Sequence, residues 1–176
     1  RKDIFDKSII DVLQEVKDNV PHHSYQHTQK IMKNLENLDI QITDHKPIGS
    51  GSLAQVYKAK YNGKKAIVKI FHPNIEKKIE ADIAVIQFLL KFFSFTTLVK
   101  NINKSTELEP FLNAIRKQTD FFQEAENTRR IDKNFSNIDK VIVPKIYYVS
   151  KDILVQEYCE GIVFEDFISK YPEYHK

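Results

Sequence analysis

The sequence predicts an α+β fold: a five-stranded antiparallel sheet with helices ahead of it and a helical insert within it. Three observations carry this prediction. Short β-branched runs crowd the stretch from Ile40 to Phe71, segments of helical periodicity flank that stretch on both sides, and two more strand-like runs follow at Val141 to Val149 and Asp152 to Tyr158. The chain has 176 residues, 41% hydrophobic and 11% aromatic, enough apolar side chain for a core of its own.

From Asp3 to Leu38 two helices are expected, broken at Pro21, with Ile9, Val12, Leu13 and Val16 on one stripe and Ile31, Leu35 and Leu38 on the other. Residues 1–39 thus read as a helical N-terminal extension. Three strands follow, at Ile40 to Ile48, Leu53 to Tyr61 and Lys65 to Phe71. Asn62-Gly63 joins the last two, and both residues tolerate the positive φ that a tight hairpin turn requires. A helix is expected from Ile75 to about Asn101, a loop at Asn101 to Thr106, and a second helix from Glu107 to about Phe135. Pro144 places the next strand at a sheet edge or marks its entry. Residues 40–161 form one unit, with the insert at about 75–101, and 162–176 read as the start of a second lobe.

Composition narrows the function. The net charge is +3 with lysine and glutamate interspersed, so no basic block offers itself to nucleic acid. Cys159 is the single cysteine, which excludes an internal disulfide and fits an intracellular compartment. Arg1 opens the chain without a targeting pattern. Ala81 to Val99 is apolar enough to raise a membrane span, but Gln87 and Lys91 interrupt it. Ile83, Ile86, Leu90 and Phe93 fall at helical spacing, so a helix buried along one side is expected.

Residues 47–60 read PIGSGSLAQVYKAK, placing Gly49, Ser50, Gly51, Ser52 and Leu53 between the first two strands. Small residues there let backbone N–H groups approach a polyphosphate. The pattern GxGxxAxV, ending at Val56, is close to the glycine loop of protein kinases, with Ala54 in the third glycine position. AIVK at residues 66–69 then puts Lys69 in the third strand, where a kinase holds the lysine of the α- and β-phosphates, and Ile67 over the adenine. Such a lysine needs an orienting carboxylate. Glu109, Glu124 and Glu126 lie on the following helix, and Glu124 is the choice because Ile115, Phe121, Phe122 and Ala125 mark the inward side next to it. In DILVQEYCEG, Gln156 stands at the gatekeeper position, with the Glu157 carbonyl and Cys159 N–H available to an adenine edge. Together these motifs predict a protein-kinase-like N-lobe suited to binding ATP.

The same motifs resemble the UbiB family of protein-kinase-like proteins over nearly the whole chain. PIGSGSLAQVYKAK, AIVKIFHPNIEKKIEADI, QTDFFQEAENTRR, VPKIYY and LVQEYCEG each look like a family segment, and the long helical insert is a family trait. The resemblance implies an atypical kinase or ATPase linked to ubiquinone and other isoprenoid-lipid metabolism. It implies ATP and Mg²⁺ as cofactors, with the catalytic-loop and metal-binding aspartates in a second lobe, so this chain alone is expected to be inactive. The family's ExD motif stands here as Gln118-Thr119-Asp120, and its KxGQ motif belongs upstream of Arg1. The rival readings are a non-catalytic pseudokinase-type binding module and a peripheral membrane protein.

Three further groups have bland readings. His23 and His27 are four apart but no third ligand follows, so solvated histidines are expected. Phe88, Phe92, Phe93 and Phe95 are expected to pack in the core, with a lipid surface as the alternative partner, and Lys77-Lys78 to lie on a solvated helix face.

Overall fold

The computed structural model describes residues 22–92, 108–162 and 164–171. The expected helix carrying Ile9 to Val16, its break at Pro21, Phe93, Phe95 and the loop at 101–106 lie outside the described residues. Chain order is α1 (Tyr25–Lys33), β1 (Ile40–Ile42), β2 (Gly49–Ser50), β3 (Ala54–Tyr61), β4 (Lys64–Phe71), α2 (Ile75–Phe92), α3 (Leu108–Lys117), α4 (Phe121–Phe135), β5 (Ile146–Val149), β6 (Ile153–Glu157) and α5 (Phe164–Lys170). The sheet is antiparallel, ordered β1-β3-β4-β6-β5, with β2 also paired to β3.

The first expected strand exists as two pieces on one edge. Ile42 pairs with Ala59 and Gly49 with Val56, so the chain makes an excursion through Asp44 to Pro47 before rejoining the edge. Pro47 has no N–H to give a ladder. The Asn62-Gly63 hairpin forms as read, with φ of 48° and 74°, the positive values of a tight turn. Pro144 lies just ahead of β5, which is the opposite edge of the sheet.

The stretch 107–135 was expected as one helix and is two. Asp120 is the reason: its carboxylate accepts from the backbone N–H groups of Phe122 (2.8 Å) and Gln123 (3.1 Å), a cap that starts α4 afresh. Ahead of it, Thr119 turns its hydroxyl back onto the Arg116 carbonyl at 2.8 Å and closes α3.

Alternation along the strands feeds two cores, one on each side of the sheet. On one side Phe71, Ile75, Ile79, Ile83, Leu112, Phe121, Ala125 and Leu154 bury α2, α3 and α4 against the sheet. On the other, Tyr57, Ala59, Ala66, Val68, Ile70, Ile153 and Val155 form a layer covered by Tyr25, Ile31, Met32 and Leu35 of the α1 region. Two of the three residues of the second expected helical stripe, Ile31 and Leu35, therefore face the sheet.

Helix α2 behaves differently from its expectation along its second half. Ile83 is buried and Ile86 packs against the core, but Phe88 and Phe92 are 65% and 59% exposed instead of packed inside. The helix simply outruns the sheet that buries its first turns. Lys77 and Lys78 lie exposed, as read.

Candidate functional site

Register decides which side chains share a face. Val56 stands opposite Lys69 and Lys58 opposite Ile67, while across the next ladder Lys69 meets Leu154 and Ile67 meets Gln156. Opposed residues project to the same side. Val56, Lys58, Ile67, Lys69, Leu154 and Gln156 thus line one face, the side on which Leu154 packs with Phe121 and Ala125 of α4. Four of these carried the sequence reading. Lys58 was missed, although period-two spacing from Val56 points to it.

Lys69 Nζ donates to the carboxylate of Glu124, a pair that joins β4 to α4. Its side chains are 25% and 40% exposed, so one side of the ion pair meets solvent. The helix is aimed by its first turn: the Phe121 ring stacks on Phe71 with centroids 3.7 Å apart, and Ala125 is wholly buried. Glu124 lies beside Ala125 at the rim of that contact. Phe122, expected inward, is 55% exposed because a step of about 100° per residue carries it round the helix from Phe121. Of the other two glutamates, Glu126 sits 3.9 Å from Arg129 on the exposed arc and Glu109 is exposed on α3.

Gly49 and Ser50 form β2, and Gly51, Ser52 and Leu53 turn into β3. The turn is pinned from within and behind. Gly51 N–H donates to the Ala54 carbonyl (2.9 Å), the Leu53 carbonyl accepts from His72 N–H (2.8 Å), and the Gly51 carbonyl accepts from His72 Nε2 (2.8 Å). The Gly51 amide, read as part of the phosphate cradle, is therefore engaged inside the turn. Ser50 is opposite Gln55, on the face away from Lys69, and its hydroxyl is buried without a partner among the described residues.

The glycines leave the loop open on its outer side. Neither Gly49 nor Gly51 is among the positive-φ residues. A Cβ on Gly49 would meet nothing within 4 Å, and one on Gly51 only the Ala54 carbonyl at 3.9 Å. The fold itself does not demand glycine at either place, and the open space suits close backbone approach by a polyphosphate. Next to the loop, an open cleft of about 720 Å³ is lined by Leu53, Gln118, Asp120, Glu124, Asn127 and Arg130.

At the end of β6, Gln156 is buried and Glu157 is tied to the edge strand. Glu157 N–H donates to the Lys145 carbonyl (2.8 Å), and its carboxylate accepts from Lys145 N–H (3.2 Å). Tyr158 N–H still reaches the Lys65 carbonyl at 3.3 Å, after which Cys159 is exposed. Burial, with a smaller effect from Glu157, raises the Cys159 thiol pKa. Glu160 closes the corner by pairing with Lys65, and Lys58 Nζ lies 5.5 Å from the Tyr158 ring centroid.

His23 and His27 are not the solvated pair expected. His23 Nδ1 lies 2.8 Å from His72 Nδ1 and its Nε2 3.0 Å from the Thr28 hydroxyl, while His27 Nε2 contacts the Phe71 carbonyl at 3.1 Å. Apart from Thr28 on α1, the partners come from β4 and its exit, which sequence spacing could not bring together. Burial first, then the neighbouring His27, His72 and His22, lowers the His23 pKa to about 4. Among the described residues no group of three His, Cys, Asp or Glu side chains is placed to hold a metal ion.

The family profile described as the ABC1 atypical kinase-like domain matches residues 15–172. The chain is 34% identical over 178 residues to a "Probable serine/threonine-protein kinase abkC" of Dictyostelium discoideum, covering 97% of this chain and 26% of that protein. It is 27% identical over 177 residues to a "Probable protein kinase UbiB" of Aeromonas salmonicida, covering 94% of this chain and 32% of the relative. Among solved structures, the Rv3197–erythromycin complex of Mycobacterium tuberculosis superposes with a TM-score of 0.64 at 19% identity, over 96% of this chain and 43% of that one. That likeness speaks for the fold. The chain spans 26% and 32% of the lengths of these two curated relatives.

Proposed function

Because the chain belongs to the ABC1 atypical kinase-like family, we propose that it is the ATP-binding lobe of a UbiB-like atypical kinase or ATPase. The observation that carries this reading is the Lys69–Glu124 ion pair on the face shared with Val56, Ile67 and Gln156. In this reading the Lys69 ammonium neutralises the α- and β-phosphates, Glu124 orients it, and backbone N–H groups around Gly49, Ser50, Ser52 and Leu53 receive phosphate oxygens. The adenine would lie against Val56 and Ile67 on that face, beside Gln156, with its edge on the Glu157 carbonyl and the Cys159 N–H. Mg²⁺, when bound, would be held by aspartates that a kinase-like fold carries in its second lobe and would neutralise phosphate charge. Phosphoryl transfer and a role in isoprenoid-lipid metabolism are assigned to the whole protein.

The test is a thermal-shift titration of the whole protein with Mg-ATP, with adenosine as the control lacking phosphates. A ligand at about 100 times its Kd stabilises the native state by about 2.7 kcal/mol, a readily measured rise in Tm. No shift up to millimolar Mg-ATP overturns the proposal.

One observation favours a second role, contact with a lipid surface. Val85, Phe88, Leu89 and Phe92 fall at helical spacing on α2 and are 45–65% exposed. No helix among the described residues is long and apolar enough to cross a membrane, so contact would be along the surface. Co-sedimentation with phospholipid vesicles, lost in Phe88→Asp/Phe92→Asp, tests this role.

A further inference from the structure

Behind the phosphate loop lies a polar cluster that the nucleotide reading does not use. Thr28 and Gln55 are wholly buried, Tyr57 is 1% exposed and His72 8%. Gln55 Nε2 donates to the Tyr57 hydroxyl at 2.6 Å, and the Tyr57 and Thr28 hydroxyls are bonded at 3.1 Å. Thr28 meets His23 Nε2, His23 Nδ1 meets His72 Nδ1, and His72 Nε2 reaches the Gly51 carbonyl. The Gln55 carboxamide returns to the start by accepting from the His23 backbone N–H. Buried polar groups are costly when unpaired, so this cluster is held together by mutual need.

Its chemistry assigns a direction. A carbonyl oxygen only accepts, so His72 Nε2 must carry a proton to bond Gly51. A neutral His72 then presents Nδ1 as an acceptor, and His23 must donate to it through its own Nδ1. The two facing nitrogens share one proton; a second would set N–H against N–H.

We propose that His72 is a positioning residue for the phosphate loop, and that His23 carries this control to the segment leading into α1. His72 holds the loop at two points, through its side chain at Gly51 and its backbone N–H at Leu53. With these two carbonyls held from behind, the N–H groups of the same trans peptides, those of Ser52 and Ala54, point the opposite way. Residues 22–28 thereby become part of the loop's support, although they stand far from it in sequence. The consequence for nucleotide binding rests on the reading given above; the effect on the loop itself does not.

Hydrogen–deuterium exchange on the nucleotide-free whole protein measures the loop directly. In His72→Ala, amides of residues 50–54 should exchange on the order of tenfold faster, the worth of one buried hydrogen bond, while those of Val68 and Leu154 stay unchanged. His72→Gln, which can donate to Gly51 from the Nε2 position, should restore protection. His23→Ala should loosen the same amides, and His23→Asn, which keeps a donor at the Nδ1 position, should not. Unchanged loop exchange in His72→Ala overturns the proposal, and so does global loosening that His72→Gln fails to reverse. In parallel, His72→Ala should weaken Mg-ATP and spare adenosine. If wild type binds neither, the nucleotide reading fails while the exchange result still decides the role of His72.

Discussion

Replacing Lys69 by methionine should separate stability from binding, because the two depend on different surroundings of one ammonium. The side chain is 25% exposed and its partner Glu124 40%, so water screens the pair. Exposed pairs of this kind contribute about 0.2–1 kcal/mol. Val68 and Ile70, which flank Lys69 in sequence, are fully buried on the opposite face and lose nothing. Methionine keeps the apolar stem against the sheet, and the loss in stability should stay below about 1 kcal/mol. Binding is another matter. A hydrogen bond to a charged group is worth about 1.5–3 kcal/mol, so affinity for Mg-ATP should fall about 10- to 150-fold. Adenosine, which has no phosphate, should bind as before. Isothermal titration of the whole protein with each ligand, beside urea denaturation of the same samples, gives all the numbers. Mg-ATP affinity within about twofold of wild type would refute the assignment of Lys69, as would an equal loss for adenosine. Glu124→Gln should weaken Mg-ATP less, and adding it to Lys69→Met should change little more, because two residues acting through one contact are not additive.

Three other outcomes follow from the packing. Asp120→Ala removes the cap of α4 and should cost about 1 kcal/mol in urea denaturation, with a loss of Mg-ATP affinity because α4 carries Glu124. Leu112→Ala, at a wholly buried position between α3 and the sheet, should cost about 2–5 kcal/mol by the same measurement. His23 has a folded pKa of about 4 against 6.5 for a free imidazole, so the unfolded chain binds the extra proton between these values. Stability from this residue is therefore full above pH 6.5 and drains away as pH falls toward 4; urea midpoints at pH 7 and 5 should differ more in wild type than in His23→Asn.

What the sequence made legible was local. The Asn62-Gly63 turn, the apolar run around Lys69 and the alternation of β3 could each be read within a window of ten residues, and together they order the loop, strand, turn and lysine. Glu124 was reachable once a kinase-type lysine called for a helix carboxylate, and Phe121 and Ala125, though not Phe122, mark the buried side next to it. What stayed hidden depended on distance in sequence. His23 and His72 are 49 residues apart, so no spacing rule pairs them, and a histidine with a buried partner looks in the sequence like one without. The break between α3 and α4 was legible in principle, because Thr119-Asp120 ahead of Phe121 is a helix-start signal; the apolar periodicity running through it masked the cap. Phe88 and Phe92 misled for a physical reason as well. Aromatic residues at helical spacing indicate a face that needs cover, without saying what supplies it.

The two broken borders of the sheet have a consequence for how this lobe meets its neighbours. On one side the chain leaves the ladder at Asp44 to Pro47, and on the other Pro144 precedes a strand whose register shifts between Ile146 and Tyr148. A straight, unpaired border is an invitation to a foreign strand, and the seed of fibrous self-assembly. Among the described residues each border offers at most four consecutive strand residues, a short and interrupted template for another chain. A foreign strand would find only a short, interrupted ladder at either described border.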